Sequence, residues 1–488
     1  MKKIAAVLTL VLCCFPGLCG PALAADPAPG GPLALSIAEA VVSSLANNRS
    51  LEVQRIAPEI ARTGELATDA PFDTTVDGKL SGSFTRSPQG VNATLEESDT
   101  QALTLGASRS LSTGTTLGID LETSRSGSAD SATTRLGVSL TQALLQGRGS
   151  DVNLAAVRQA RLDTAVSLAE LRGFTESLVA QVEEACWNYL LAVRRVVIVE
   201  RSLSLAEAQL AEVRERIAVG RLAEIEAAAA EAEVALRREA LIDARSARDA
   251  GRLALLRLVN PPGAGALSRE IAVTAVPALP ADDPAPVADH VALALRRRPE
   301  LTQARLQLER GDLDLVQTRN GLLPRLDFFI SLGATGYAAS FGDSLDLGDG
   351  HDVTAGLTLR VPLGNSAARA ADRRATLSRR RAEISLENLA QLVEVDVRGA
   401  WIEAARLHEQ IAATAATQRL QEEKLRAETE KFRVGKSTAF LVAQAQRDLL
   451  QAENESESAV VGYLKALVES YRLEGTLLER RGIAVADH

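Results

Sequence analysis

The sequence has few of the side chains that bind metals or carry out covalent catalysis. Its 488 residues include four cysteines, four histidines and one methionine. The histidines are scattered, without the spacing of metal ligands: His290, His351, His408 and His488. A metal site built from His, Cys or Met is therefore not expected. No catalytic residue, no cofactor-binding residue and no cofactor are predicted.

Two short segments resemble catalytic motifs but lack a glycine that each motif requires. GKST at residues 435–438 resembles the end of a phosphate-binding loop, but Glu430 stands where the first glycine is required. GVSLT at residues 137–141 has Thr141 where a nucleophile elbow needs its second glycine. Neither segment supports an enzyme.

The first 24 residues are predicted to be a secretory signal peptide. Lys2 and Lys3 precede an apolar stretch at residues 4–12, and small residues end the segment at Ala24, where cleavage is expected. The apolar stretch is shorter than the about 20 residues of a membrane-spanning helix. Cys19 raises the alternative of a lipid anchor, although Leu18 precedes it where Gly or Ala is usual. The segment indicates an exported protein.

Cleavage would leave only one cysteine. Cys13, Cys14 and Cys19 precede the cleavage site, and Cys186 follows it, so an internal disulfide is excluded. Cys186 has the spacing of a packed helix position and is predicted to be a buried apolar side chain. The formal net charge of −9 argues against a nucleic-acid partner, because a basic surface is expected for one.

Six short stretches alternate between apolar and polar residues, as strands with one apolar face do. Their apolar positions are Val76, Leu80 and Phe84; Leu103, Leu105 and Ala107; Leu117, Ile119 and Leu121; Leu136, Val138 and Leu140; Phe328, Ile330 and Leu332; and Val353, Ala355, Leu357, Leu359 and Val361. A membrane β-barrel has such strands, and so does an antiparallel sheet packed on a soluble core. The alternation alone favours the soluble sheet, and an aromatic content of 3% is low for a barrel.

Between the strands lie segments predicted to form very long helices. A first helix is expected from about Ser36 to Leu66, and residues 154–259 are nearly free of proline. Apolar positions with heptad-like spacing are Val182, Cys186, Tyr189, Val193 and Val196, and later Val393, Val397, Trp401, Ala404 and Leu407. Gly220 and Gly435 mark points where each long segment turns back. A helix of roughly 60 residues spans about 90 Å, more than a compact domain.

The sequence repeats itself at long offsets. Residues 37–55 align with residues 287–305 at an offset of 250, and residues 216–221 align with residues 431–436 at an offset of 215. These periods exceed the roughly 20–50 residues of a solenoid unit, so two copies of one large unit are predicted. The first repeat is placed at 25–260, with strands at about 73–144 and a helical hairpin at about 151–259. A Pro-rich linker at 261–286 precedes the second repeat at 287–480, with strands at about 325–363, a hairpin at about 366–478 and a tail at 481–488.

Five segments, in order along both repeats, resemble one known family. They are SLTQALLQGRG at 139–149, RRRPEL at 296–301, LLPRLDF at 322–328, LRVPLG at 359–364 and KFRVGKSTAFLVAQAQRDLLQAE at 431–453. The chain is similar to the TolC-type outer-membrane efflux proteins, the outer membrane factors. The resemblance implies a mixed α+β membrane protein that forms a homotrimer. Antiparallel coiled-coil helices would form a periplasmic tunnel, and strands from every copy would form one shared outer-membrane β-barrel.

The resemblance also implies the function and the partners. The chain would be a passive export channel in the outer membrane of a Gram-negative-type cell, within a tripartite efflux or type I secretion system. It would dock to a periplasmic adaptor protein and an inner-membrane pump that supplies the energy. An alternative of another class is a periplasmic coiled-coil scaffold or adaptor without a pore. The sequence does not identify the exported substrate.

The family assigns roles to residues at the two helix turns. Gly220 and Gly435 are expected at the periplasmic tip. Arg221 and Lys436, directly after them, either bind neighbouring turns or the adaptor, or are simply solvated.

Some family members carry acidic residues just after the turn, where they form a cation-selecting constriction. Glu226 occupies such a position in the first repeat, whereas Leu441 and Gln444 occupy the matching positions in the second. Glu226 is therefore a candidate constriction carboxylate, or else a solvated helix charge.

The first repeat is longer than the second in its strand region. From residue 71 to residue 144 it covers 73 positions, whereas the matching stretch from 324 to 363 covers 39. The family usually has two strands per repeat. The excess either adds a hairpin near Gly114 or lengthens an extracellular loop.

Overall fold

The computed structural model of the chain describes residues 33–89, 94–127, 131–263, 265–274, 279, 286–348 and 350–484. The expected signal peptide, with its cleavage site after Ala24 and with Cys13, Cys14 and Cys19, lies outside the described residues. Part of the expected linker and the last four residues of the expected tail also lie outside them.

The described residues form eight strands and ten helices. In chain order these are β1 (Leu33–Leu35), α1 (Ile37–Asn47), α2 (Arg49–Asp69), β2 (Thr74–Gln89), β3 (Thr94–Ser110), β4 (Thr115–Ser126), β5 (Ser131–Ala143), α3 (Ser150–Asn153), α4 (Ala155–Ala218), α5 (Ile225–Val259), β6 (Ile271–Val273), α6 (Val287–Arg297), α7 (Pro299–Asn320), β7 (Arg325–Ala338), β8 (Gly350–Arg360), α8 (Ser366–Arg433), α9 (Ala439–Glu474) and α10 (Leu477–Arg480).

All six predicted strands are present and form one antiparallel sheet in the order β2-β3-β4-β5-β7-β8. The register places the apolar side chains of every strand on the same face, for example Leu105 opposite Leu121 and Leu121 opposite Leu136. On the strand at one edge, Leu80 is 80% exposed, and on the strand at the other edge Val353 is 66% exposed. Most of this face is not packed against the described part of the chain. The interpretation as a sheet on a soluble core is therefore wrong.

The excess residues of the first repeat form strands. Four strands, β2 to β5, stand in the first half of the chain where the second half has two, β7 and β8. The turn between β3 and β4 lies at the end of the sheet from which the helices depart. Asn153 Nδ2, next to α4, donates hydrogen bonds to the carbonyl oxygens of Ser112 (3.0 Å) and Gly147 (2.8 Å). The added hairpin is thus bonded to the junction between sheet and helices.

The helices next to the sheet form a row in which α2 packs on α4, α4 on α7 and α7 on α8. The helices α4 and α8 have 64 and 68 residues, so each is about 100 Å long. No helix in the described ranges has the length and apolar character needed to span a membrane. The row of four helices and the six-stranded sheet together form one elongated body.

The main core lies where the short helices α1 and α10 pack against α4 and α5. Leu51, Val182, Cys186 and Leu255 are all at most 1% exposed there. Burial raises the pKa of the Cys186 thiol to about 12, so the thiol is a poor nucleophile and serves as an apolar side chain, as predicted.

Two local features differ from the sequence predictions. The first helix is interrupted at Asn48, whose Oδ1 accepts hydrogen bonds from the backbone of Ser50 and Leu51 and caps α2. The equivalent helical segment of the second predicted repeat is interrupted at Arg298, just before Pro299. Arg298 lies 250 residues after Asn48, which is the repeat offset. Within the predicted linker, β6 pairs with β1 in a parallel two-stranded sheet.

Glu176 gives a testable pH dependence of stability. Its side chain is 2% exposed, and burial raises its pKa from 4.5 to about 7, against the opposing charge of Arg172 at 3.6 Å. Because the folded pKa exceeds the unfolded one, stability is lost as pH rises from about 4.5 through about 7, by up to roughly 3 kcal/mol. Glu176→Gln is expected to raise the thermal unfolding temperature at pH 8 and to leave it nearly unchanged at pH 4, measured by circular dichroism.

Glu170 lies on the same helix and is exposed, so Glu170→Gln is the matched control. An equal gain in unfolding temperature at both pH values for Glu176→Gln would contradict the prediction.

Candidate functional site

The two long helical hairpins turn back through the same backbone geometry. Gly220 has φ +70° and Gly435 has φ +76°, the left-handed conformation that glycine adopts without strain. In the first turn Gly220 N donates to Ile217 O and Arg221 N to Arg216 O; in the second Gly435 N donates to Phe432 O and Lys436 N to Lys431 O. Both are Schellman motifs, which satisfy the last carbonyl groups of α4 and α8.

The ends of the two hairpins pack against each other around Phe432. This side chain is 1% exposed and contacts a cluster with Val213, Ala230 and Val442. The Arg216 guanidinium lies 4.5 Å from the centre of the Phe432 ring and donates to the Phe432 carbonyl at 2.9 Å. Apolar burial and this cation–π contact join the first hairpin to the second at the tip.

The residues predicted for the tip all lie in or just after the two turns. Arg221 and Lys436 are exposed, and neither forms an ion pair within the described ranges. Glu226 is half-buried in the first turn of α5 and likewise has no hydrogen-bond or ion-pair partner among the described residues. Leu441 and Gln444 are exposed near the start of α9. The structure thus leaves the three charged groups free to meet an external partner or ions.

Near the tip, a buried charged cluster joins α5 to α9. Glu233 is 4% exposed and Arg237 is 6% exposed. Glu233 accepts a hydrogen bond from Arg447 Nη1 at 2.9 Å through one oxygen, and its other oxygen lies 2.5 Å from Arg237. Burial lowers the pKa of Arg237, while the charge of Glu233 opposes that change. A single carboxylate therefore neutralises two arginines from two different hairpins.

Comparison with known proteins gives a match to one protein family. The model of the outer membrane efflux protein family matches residues 291–475, which run from α6 through β7, β8 and α8 to the end of α9. The match covers less than half of the chain and shows that residues 291–475 are similar to this family. The family match includes the turn at Gly435, whereas β2 to β5 and the turn at Gly220 lie outside it. No curated protein sequence matches the chain.

Solved structures of outer-membrane channels share the fold. The Campylobacter jejuni outer membrane channel CmeC has a TM-score of 0.70 at 14% identity, covering 90% of this chain and 86% of that chain. The outer-membrane channel OprN has a TM-score of 0.69 at 18% identity, covering 90% of both chains. The Vibrio cholerae outer membrane protein VceC has a TM-score of 0.68 at 16% identity, covering 90% of this chain and 96% of that chain. At these identities the likeness shows the fold alone.

The charged cluster at Glu233 was not predicted from the sequence. Glu233 and Arg237 are four residues apart on a helix, a spacing that usually indicates a solvated surface pair. Arg447 is 214 residues from Glu233, close to the repeat offset of 215. At the offset of 215 the equivalent of Glu233 is Asp448, another acidic residue, so the repeat gave no signal for the pairing with Arg447.

Proposed function

We propose that this chain is the outer-membrane channel subunit of a tripartite efflux or type I secretion system. It forms a passive trimeric export duct with its helices in the periplasm. The observation that carries the proposal is an uncovered apolar sheet face at one end of helices about 100 Å long. The match of residues 291–475 to the outer membrane efflux protein family and the likeness to the folds of solved outer-membrane channels support it.

The sheet fits a bilayer only as part of a closed wall. Its strands have 11 to 17 residues, enough for the about 9–11 that span the hydrocarbon core. Lipid offers no hydrogen-bond partners, so the edges β2 and β8 must pair with other strands. A barrel shared between copies of the chain meets this requirement.

Exposed apolar stripes on the outer helices of the row support a homotrimer. On α2 they comprise Val53, Ile56 and Ile60, and on α8 they comprise Leu377, Ile384, Val395 and Ile402, all 49–66% exposed. Because α2 leads into the edge strand β2 and α8 follows the edge strand β8, closure of the barrel brings the two stripes together between neighbouring copies. The recurring helix breaks and Schellman turns support the duplication of one unit.

The tip is proposed to dock the periplasmic adaptor that links the channel to its inner-membrane pump. Val219 and Val434 directly follow α4 and α8, are 64% and 68% exposed, and precede Gly220 and Gly435. Each turn therefore presents an exposed valine, a glycine and a basic residue, Arg221 or Lys436. This repeated apolar and basic surface suits a partner that contacts all the turns alike.

A planar bilayer experiment tests the channel. Purified, detergent-extracted protein is expected to be trimeric and to give discrete conductance steps with preference for cations. Three copies of Glu226 held close together would favour cations, so Glu226→Gln is expected to lower the cation-to-anion permeability ratio by about twofold or more.

Glu224 is exposed two residues earlier, and Glu224→Gln is the matched control. A trimer that conducts with unchanged selectivity in Glu226→Gln would remove the constriction role and keep the channel. A species that never conducts would refute the channel and favour the pore-less scaffold.

A further inference from the structure

We infer that three copies of this chain close an 18-stranded barrel, in which β2 of one copy pairs with β8 of the next. Two strands per repeat would give twelve strands in a trimer, but each copy here carries six. The inference rests on the proposed trimeric channel and specifies the surface by which a copy recognises a second copy. It assigns the excess residues of the first repeat to the pore wall.

The added hairpin is built into the sheet at both of its faces. On the apolar face, Leu105 of β3 and Ile119 of β4 continue the row formed by the other strands. On the polar face, Arg135 of β5 pairs with Asp120 of β4 at 3.3 Å and with Asp352 of β8 at 2.9 Å. These bonds tie β4 to the far edge of the sheet, as expected for a wall and not for a loop outside it.

The turn of this hairpin is fixed to the helical part. Gly149 N donates to Thr113 O at 3.1 Å, and Ala143 N donates to Gly114 O at 2.9 Å. Together with the hydrogen bonds of Asn153 they hold the β3–β4 turn where the helices depart. The hairpin is therefore positioned at the same end of the sheet as the helix junctions.

The width of a six-stranded sheet agrees with the width of the row of four helices. Neighbouring strands are about 4.8 Å apart, so six strands tilted by roughly 35° occupy about 35 Å of circumference. Four helices at about 8–10 Å spacing occupy roughly 32–40 Å. Four strands at the same tilt would occupy only about 23 Å. Six strands thus match the row α2-α4-α7-α8 that continues from them.

The register within the chain gives the register between copies. A line perpendicular to the strands that begins at Thr74 crosses Arg109, Leu117, Leu140, Ile330 and Ala355. Thr74 is the first residue of β2, whereas Ala355 lies five residues before the last residue of β8, Arg360. We assume that the end of β8 stays level with the start of the neighbouring copy's β2, and that the apolar residues of both strands stay on one face. Under these two conditions Ala355 lies opposite Leu80 of the partner subunit.

This register gives an ordinary barrel geometry. The line perpendicular to the strands leaves β2 of one copy at Thr74 and reaches β2 of the next copy at residue 80. It therefore advances six residues for every six strands that it crosses. With about 3.3 Å per residue and about 4.8 Å between strands, the strands tilt by roughly 35°, at the edge of the usual range of about 35–45°. Barrels of 16–18 strands leave an aqueous channel, so this wall encloses an open pore.

Disulfide cross-linking in a Cys186→Ala background tests the pairing. Facing residues of an antiparallel pair have Cα atoms about 4.5–5.5 Å apart, within reach of a disulfide, whereas diagonal neighbours at about 7–8 Å are beyond it. Leu80→Cys with Ala355→Cys is expected to give a covalent trimer on oxidation. Leu80→Cys with Leu357→Cys, two residues out of register, and Leu80→Cys with Thr354→Cys, on opposite faces, are controls expected to give at least about tenfold less.

Labelling with a membrane-impermeant maleimide tests whether β3 belongs to the wall. Thr104 faces the polar side and Leu105 the apolar side of the sheet. Thr104→Cys is expected to react at least about tenfold faster than Leu105→Cys, because apolar surroundings disfavour the reactive thiolate. Equal rates would place the hairpin outside the wall and overturn the inference.

The two proposals fail in different ways. Wild-type protein that is neither trimeric nor conducting would refute the channel itself. A conducting trimer that shows no Leu80–Ala355 cross-link, or whose Thr104→Cys and Leu105→Cys variants label equally, would refute only the 18-stranded wall.

Discussion

Glu233→Ala is expected to loosen the two hairpins at the tip and to raise the conductance of the proposed channel severalfold. The substitution leaves Arg237 and Arg447 without their shared carboxylate, and Arg237 is 6% exposed. Removing one partner of a buried ion pair costs about 3–5 kcal/mol. That free energy shifts an equilibrium between a packed and a separated tip by about 10²-fold or more toward the separated state. Single-channel recordings measure the change.

Cleavage by trypsin gives a second readout of the same event, since separation exposes Arg237. The exposed pair of Glu207 and Arg238, whose side chains are 47% and 65% accessible, provides the matched control. Glu207→Ala is expected to change stability by less than about 1 kcal/mol and to leave the conductance unchanged. If Glu233→Ala conducts and resists trypsin like the wild type, the cluster does not hold the tip together.

The strands were the most predictable part of the fold, because a two-residue period depends only on neighbouring residues. All six stretches, from Val76 to Val353, occur as strands with the predicted faces. The surroundings of the apolar face were not predictable from the alternation, since lipid and a soluble core select the same residues. The exposure of Leu80 and Val353 shows that the described chain does not cover this face.

Long-range features left little trace in the sequence. The pairing of β1 with β6 joins strands of three residues each, too short to show a period, so its second strand was interpreted as linker. Asn48 ends one helix and caps the next through its own side chain, although the apolar pattern continues across it. The cluster at Glu233 is buried only because a second hairpin packs on it.

The repeat offsets and the excess length carried more information than any single motif. An offset of 215 related the two turns, and both prove to be Schellman motifs at Gly220 and Gly435. The excess of the first repeat indicated an insertion near Gly114, but its length fits a hairpin and a loop equally. Only the hydrogen bonds of Asn153 and the register of β3 distinguish the hairpin.

Gly114→Ala is expected to reduce the amount of folded protein in the outer membrane by at least about tenfold, because it disrupts the turn between β3 and β4. Gly114 has φ +86°, and an added Cβ would overlap the carbonyl oxygen of Gly147. That carbonyl accepts a hydrogen bond from Asn153 at 2.8 Å and cannot move without breaking the junction. The backbone strain costs about 1 kcal/mol, and overpacking adds about 1–3 kcal/mol or more.

The variant Gly149→Ala separates the effect of backbone strain from the effect of steric overlap. Gly149 has φ +94° and ψ +154°, a conformation essentially restricted to glycine, yet an added Cβ would meet no atom within 4 Å. Gly149→Ala therefore carries a backbone strain of about 1–3 kcal/mol without steric overlap. We expect this variant to reach the membrane at a clearly higher level than Gly114→Ala, measured by immunoblot of membrane fractions. Equal losses in both variants would mean that backbone strain alone limits folding. If both variants reach the membrane at the wild-type level, the β3–β4 turn is not required for the sheet, because the junction then tolerates displacement of the hairpin.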